Sequence, residues 1–217
     1  MTPSPRVKIC GVTSVADGVL ATRMGADLIG LNFYPRSPRF ISIDMAREVA
    51  DAVRGERAGV VVVGVFVQSP IGEIERIDTA VGLDLLQFHG DEEPESLAPF
   101  GARAIKAWRW DGRPPAAALA RFDSAWGFLL DRKDTASGLY GGTGLAWDFA
   151  EAAGLDTAKP VLLAGGVGPR NVRAALRAAR PWGVDVCSRV ESAPGVKDAA
   201  LLEALFREIR DGETHPA

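Results

Sequence analysis

Cys10 ends the short apolar run Val7-Lys8-Ile9-Cys10 and is followed at once by Gly11. A thiol at a strand tip is placed for chemistry, because its thiolate is a good nucleophile and proton acceptor. With a side-chain period of two, Lys8 and Cys10 share one face of that run while Val7 and Ile9 take the other. The same parity along later runs gathers Asn32, Gln87 and His89, Asp131, and Asp185 with Cys187 at strand ends, facing one interior. Asp131 offers the complementary chemistry, a carboxyl able to give up a proton. A chain needing only stability would rarely collect so many polar groups at one end, since each buried one without a partner costs about 1–3 kcal/mol.

Eight apolar runs can position these residues: Val7 to Cys10, Leu28 to Phe33, Val60 to Val67, Leu83 to Phe88, Ala104 to Trp108, Trp126 to Asp131, Val161 to Ala164 and Val184 to Cys187. Between them lie segments with helical spacing, such as Ala46, Val49, Ala50 and Val53, or Leu202, Leu205, Phe206 and Ile209. Ser14 suits a helix N-cap with Asp17 three residues on, Gly25 a helix end, and Pro169 a helix's first turn. The alternation predicts an α/β protein, a single (β/α)8 TIM barrel with parallel strands spanning 1–217, with 211–217 a flexible tail. An open doubly wound sheet is the alternative. It is disfavoured because no Gly-x-Gly-x-x-Gly turn follows the first strand.

In such a barrel the active site forms at the C-terminal ends of the strands, and the loops after strands seven and eight bind phosphate. Ala164-Gly165-Gly166-Val167-Gly168-Pro169 fits that corner, where Gly165 and Gly166 let backbone amides approach an anion, and Ser188 follows the eighth strand. The bland alternative is that these are ordinary turn glycines. The chain has 217 residues and a formal net charge of -3, which leaves no broad basic footprint for nucleic acid or an anionic membrane. Two cysteines cannot build a disulfide framework and fit a reducing compartment. The first residues lack a secretion signal and no apolar run approaches the roughly 20 residues of a membrane span, so a cytoplasmic location is expected. Cys10, Cys187, His89 and His215 lack zinc-ligand spacing, and no metal is expected. Gly141-Gly142-Thr143-Gly144 lacks the lysine of a nucleotide P-loop and reads as a lid over the sixth strand, after a mobile loop from Arg132 to Gly138.

Read together, Lys8-Ile9-Cys10-Gly11-Val12-Thr13, Phe33-Tyr34-Pro35-Arg36-Ser37-Pro38-Arg39, Gly64-Val65-Phe66-Val67, Gln87-Phe88-His89-Gly90, Leu129-Leu130-Asp131, Gly141-Gly142-Thr143-Gly144, Ala164-Gly165-Gly166 and Val190 to Asp198 resemble the phosphoribosylanthranilate isomerase family. The resemblance runs from about Arg6 to Asp198, and the order and spacing of the tracts make it specific. It implies an Amadori rearrangement of N-(5-phosphoribosyl)anthranilate in tryptophan biosynthesis, with no redox cofactor or metal required; the expected partner is a small-molecule phosphosugar substrate, with neither nucleic acid nor membrane, and the expected form a monomer or homodimer. It also implies Cys10 as general base, Asp131 as general acid, Arg39 at the anthranilate carboxylate, Asp185 lining the pocket, and Gly165, Gly166 and Ser188 at the phosphate. Gln87 and His89 are expected to line the pocket. Opening the ribose ring requires Asp131 to carry a proton when substrate arrives, which burial or a neighbouring negative charge would favour. Lys8, on the face of Cys10, is the expected source of thiolate stabilisation.

Single residues also admit plainer readings. Cys10 taken alone is a small buried hydrophobe, Asp131 a helix cap, Arg39 a surface arginine and His89 a structural histidine. The chain departs from the family pattern Asp-Val-Ser-Ser-Gly-Val-Glu at Cys187 and Arg189. Arg189 restricts the backbone near the phosphate or adds a charged contact. Cys187 stands on a strand adjacent to that of Cys10, at about 5 Å spacing, so two free thiols are expected, with oxidation able to link them and silence Cys10. Competing functions are a related aldose isomerase, a Schiff-base lyase using Lys106, and a phosphosugar-binding barrel without turnover.

Overall fold

The computed structural model describes residues 4–110, 116–132, 148–153, 155 and 157–214. Its strands are β1 Arg6–Cys10, β2 Leu28–Asn32, β3 Val61–Phe66, β4 Leu85–Phe88, β5 Ala104–Trp110, β6 Gly127–Arg132, β7 Val161–Leu163 and β8 Gly183–Val186, each ending within two residues of an apolar run in the sequence. They pair in chain order and close as a parallel barrel, with β1 hydrogen-bonded to both β2 and β8.

Strand parity sorts the side chains into two cores. Leu28, Val63, Leu85, Ile105, Ala107, Leu129, Leu162 and Ala164 pack together inside the barrel. Ile9, Ile29, Leu31, Val62, Leu86, Phe88, Phe128, Leu130, Val184 and Val186 face out and meet the helices. Both faces are therefore removed from water, which is why the strands read as continuous apolar runs.

The outer layer holds α1 Val15–Met24, α2 Ile43–Glu56, α3 Ile71–Val81, the single turns α4 Pro94–Leu97 and α5 Ala116–Leu119, α6 Val172–Ala179 and α7 Ala199–Thr214. Ser14 Oγ accepts from the Asp17 amide at 3.2 Å, and Gly25 ends α1 with φ 120°. The inward stripes of α2 and α7 are buried at the expected positions. Among the described residues, no helix is long and apolar enough to cross a membrane.

Three local features differ from expectation. Pro169 lies before α6, not in its first turn, because the Asn171 and Val172 amides both bond to Gly168 O and extend the turn to Asn171. The expected tail begins as helix, since α7 runs to Thr214, while 215–217 lie outside the described residues. A small antiparallel hairpin, β9 Glu191–Ala193 and β10 Val196–Lys197, follows β8. The expected mobile loop beyond Arg132 and the Gly141–Gly144 lid lie outside the described residues.

Candidate active site

The register that pairs Lys8 with Asp185 places an ammonium and a carboxylate side by side at the barrel mouth. Lys8 is fully buried, and its Nζ donates to Asp185 Oδ1 at 2.9 Å and to Gln87 Oε1 at 2.8 Å. Burial opposes the ammonium, but Asp185 and Cys10 outweigh it and hold the Lys8 pKa above that of an ordinary lysine. Asp185 is pushed up to about 7, first by burial and then by Cys10 and Asp131, against the pull of Lys8.

Cys10 is 8% exposed. Gly30 on β2 makes room for it, since a Cβ there would stand 2.8 Å from Cys10 Sγ. The Cys10 thiol is held well below its usual range, first by the Cys187 S–H and then, against burial, by Lys8 and Lys197. Cys187 is displaced the other way and remains the protonated partner. Both thiols are free. The sequence-based choice of Lys8 is thus one contribution beside a larger one from Cys187.

Asp131 is 6% exposed, and its Oδ2 lies 3.2 Å from His89 Nε2. His89 Nδ1 in turn lies 2.7 Å from Gln87 Nε2. Cys10, Gln87, His89, Asp131 and Asp185 are therefore brought together in one buried group. Asn32 is turned away into its own loop, where its Oδ1 accepts from the Tyr34 amide and its Nδ2 donates to Ser37 Oγ. Ser37 Oγ also accepts from the Arg39 amide at 3.1 Å, so this loop sets the position of Arg39.

The Arg39 guanidinium is clamped by Glu191, with Nε donating to Oε1 at 2.9 Å and Nη2 to Oε2 at 2.7 Å. The aliphatic stem of Arg39 lies over Gly11, where φ is 69° and a Cβ would stand 2.6 Å from Arg39 Cδ and 3.0 Å from Cys187 Sγ. Lys197 Nζ completes the cluster by donating to Cys10 O at 2.6 Å and Glu191 Oε1 at 2.8 Å. Burial opposes the Glu191 carboxylate, but Arg39 and Lys197 overcome it and hold its pKa below the usual range. Sequence reasoning missed Glu191 and Lys197 as working parts. The turn signal Pro194-Gly195 before Val196 was the available hint of the hairpin that carries them.

At the end of β7, Gly165 and Gly166 take φ 77° and 83°, conformations that L side chains rarely adopt. Asn171 braces this loop, accepting from the Gly168 amide at 2.8 Å and donating to Gly166 O at 3.0 Å. Gly166, Gly168, Asn171, Ser188 and Arg189 line a cleft of about 560 Å³. Arg189 lies against Gly168, where a Cβ would collide with it, so the residue that departs from the family pattern lines the same corner.

Lys106 does not reach this interior. Its neighbours Ile105 and Ala107 belong to the inner core, and its register partner Phe128 belongs to the outer one. Its Nζ is held by Gly90 O at 2.7 Å and Glu92 Oε2 at 2.8 Å. The Schiff-base lyase reading loses its amine.

A closed (β/α)8 barrel with these titratable groups at its mouth defines the class as a barrel enzyme working through side-chain acids and bases. The family model described as N-(5'phosphoribosyl)anthranilate (PRA) isomerase matches residues 7–208. An N-(5'-phosphoribosyl)anthranilate isomerase of Myxococcus xanthus is 44% identical over 212 residues, covering 95% of this chain and 97% of that protein. The crystal structure of phosphoribosyl anthranilate isomerase from Thermus thermophilus superposes with a TM-score of 0.83 at 38% identity, covering 95% of this chain and 98% of the other. Another phosphoribosyl anthranilate isomerase, solved in complex with reduced 1-(o-carboxyphenylamino)-1-deoxyribulose 5-phosphate, superposes with a TM-score of 0.81 at 30% identity, over 95% of this chain and 99% of that one. The chain belongs to the N-(5'-phosphoribosyl)anthranilate isomerase family.

Proposed function

We propose that this chain, as one barrel domain in the cytoplasm, catalyses the Amadori rearrangement of N-(5-phosphoribosyl)anthranilate to 1-(2-carboxyphenylamino)-1-deoxyribulose 5-phosphate, an aldose–ketose isomerisation of tryptophan biosynthesis. Asp131 gives its proton to the ribose ring oxygen, the ring C–O bond breaks, and the nitrogen lone pair forms the protonated Schiff base. That positive charge acidifies C2', and the Cys10 thiolate removes its proton to leave an enolamine. A proton then adds at C1' while the 2'-hydroxyl gives up its own hydrogen to form the C2' carbonyl, which yields the aminoketose; the proton held by Cys10 and the one lost from the hydroxyl balance the one added at C1' and the one returned to Asp131. No redox cofactor or metal enters this balance.

The observation that carries the reading is the placement of the Cys10 thiol on β1 and the buried Asp131 carboxyl on β6, both inward on one lumen. Gly165, Gly166 and Ser188 bind the phosphate, and Asp185 lines the pocket. Arg39 meets the anthranilate carboxylate with its Nη1 edge, since Glu191 engages Nε and Nη2. The working form is a monomer or homodimer. Turnover of freshly generated N-(5-phosphoribosyl)anthranilate tests the reading. Cys10→Ala and Asp131→Asn should each lose about 10²- to 10⁴-fold in kcat, the usual worth of a general acid or base, while Arg39→Ala mainly raises KM. Absent turnover by the wild type, or equal kcat in all four proteins, would overturn it.

A further inference from the structure

The buried polar chain Asp185–Lys8–Gln87–His89–Asp131 fixes the hydrogens of its members. A lysine ammonium carries donors only, so the Gln87 atom facing Lys8 Nζ at 2.8 Å is the carbonyl oxygen; a flipped amide would set NH₂ against NH₃⁺. The Gln87 NH₂ group therefore faces His89 Nδ1 at 2.7 Å. An NH₂ group cannot accept, so Nδ1 must hold the lone pair and Nε2 the hydrogen. That N–H is buried, lies 3.2 Å from Asp131 Oδ2, and has no well-directed hydrogen bond among the described residues. A buried donor left unbonded is costly, and Asp131 Oδ2 is the acceptor within reach of it.

We propose that Lys8 and Gln87 are positioning residues that lock His89 in the Nε2–H tautomer, so that His89 donates to one oxygen of Asp131 and the acid's own hydrogen stays on the other, aimed at the sugar. The opposite tautomer would present a lone pair at Nε2. The Asp131 hydrogen would then be drawn to the histidine and away from the ribose oxygen. Lys8 thus serves both ends of the site, as the cation near Cys10 and as the anchor of the chain that orients the acid. This assignment rests on the acid role of Asp131 proposed above.

The sequence has two histidines, His89 and His215, so the nitrogen spectrum of protein labelled with ¹⁵N-histidine contains two rings, and His215→Gln leaves one. The expected wild-type spectrum has His89 protonated at Nε2 and bare at Nδ1. In Gln87→Glu the new carboxylate accepts from Nδ1 and draws a hydrogen there; kcat should then fall about 10- to 100-fold, less than for loss of the acid itself, with KM within about threefold. A wild-type His89 carrying its hydrogen on Nδ1 overturns the proposal, and that spectrum decides the tautomer even if Gln87→Glu does not fold. A Gln87→Glu protein with a moved hydrogen and unchanged kcat also overturns it. Absence of wild-type turnover together with an Nε2–H ring would sink the reaction assignment and the role given to Asp131, while leaving the tautomer in place.

Discussion

Leu129 and Asp131 are two residues apart on the same face of β6, yet they belong to different regimes of one lumen. The lower lumen, built from Leu28, Val63, Leu85, Ile105, Leu129 and Leu162, is held by close apolar packing. The upper lumen, built from Lys8, Cys10, Gln87, His89, Asp131 and Asp185, is also buried but is held by directed polar contacts. In the lower layers a side chain matters through the volume it fills. In the upper layer it matters through which atom carries a hydrogen. One strand therefore supplies stability from one residue and chemistry from the next in register.

That division can be broken most sharply on β6 itself. Asp131→Asn, with the large turnover loss given above, should leave the urea unfolding free energy within about 1 kcal/mol, because the amide keeps the carboxyl's shape. Leu129→Ala should cost about 2–5 kcal/mol of stability through the cavity it opens, while kcat of the folded fraction stays within about tenfold of wild type. If Leu129→Ala left stability unchanged, the lower lumen would not be the packed core described here.

A smaller effect sharpens the upper half. The thiolate of Cys10 is present above its folded-state pKa and is lost as pH falls through it, so alkylation by iodoacetamide should already be fast below the range of an ordinary thiol near 8.5. Cys187→Ala removes the largest lowering influence, which moves the alkylation profile to higher pH and slows the reaction at pH 7. A profile unmoved by Cys187→Ala would leave Lys8 and Lys197 as the sources of the shift.

Much of this was legible in the chain, for definite reasons. Strand parity is a local property, so Cys10, Gln87, Asp131 and Asp185 are read inward from neighbours one and two residues away. Gly165 and Gly166 announce their positive φ by being glycine. What was not legible depends on contacts between distant segments. The Arg39–Glu191 clamp joins residues 152 apart, and Lys197 reaches Cys10 O across 187. Cys187 suggested a disulfide from its distance alone, whereas its main influence on Cys10 depends on which sulfur keeps the proton. Pro169 failed as a helix marker for a local reason: Asn171, bonded to Gly166 and Gly168 a few residues before it, holds a turn that delays the helix start. Lys106 misled because the run Ala104 to Trp108 carries no polar alternation to say which face is inner.

The most direct test is the structure of this chain bound to reduced 1-(o-carboxyphenylamino)-1-deoxyribulose 5-phosphate. The phosphate should sit at Gly165, Gly166 and Ser188, with Cys10 Sγ and an Asp131 carboxyl oxygen on opposite sides of the sugar chain, each within about 4 Å of it. A ligand that touches only one of those two groups, or whose phosphate lies away from the glycine corner, would contradict the account.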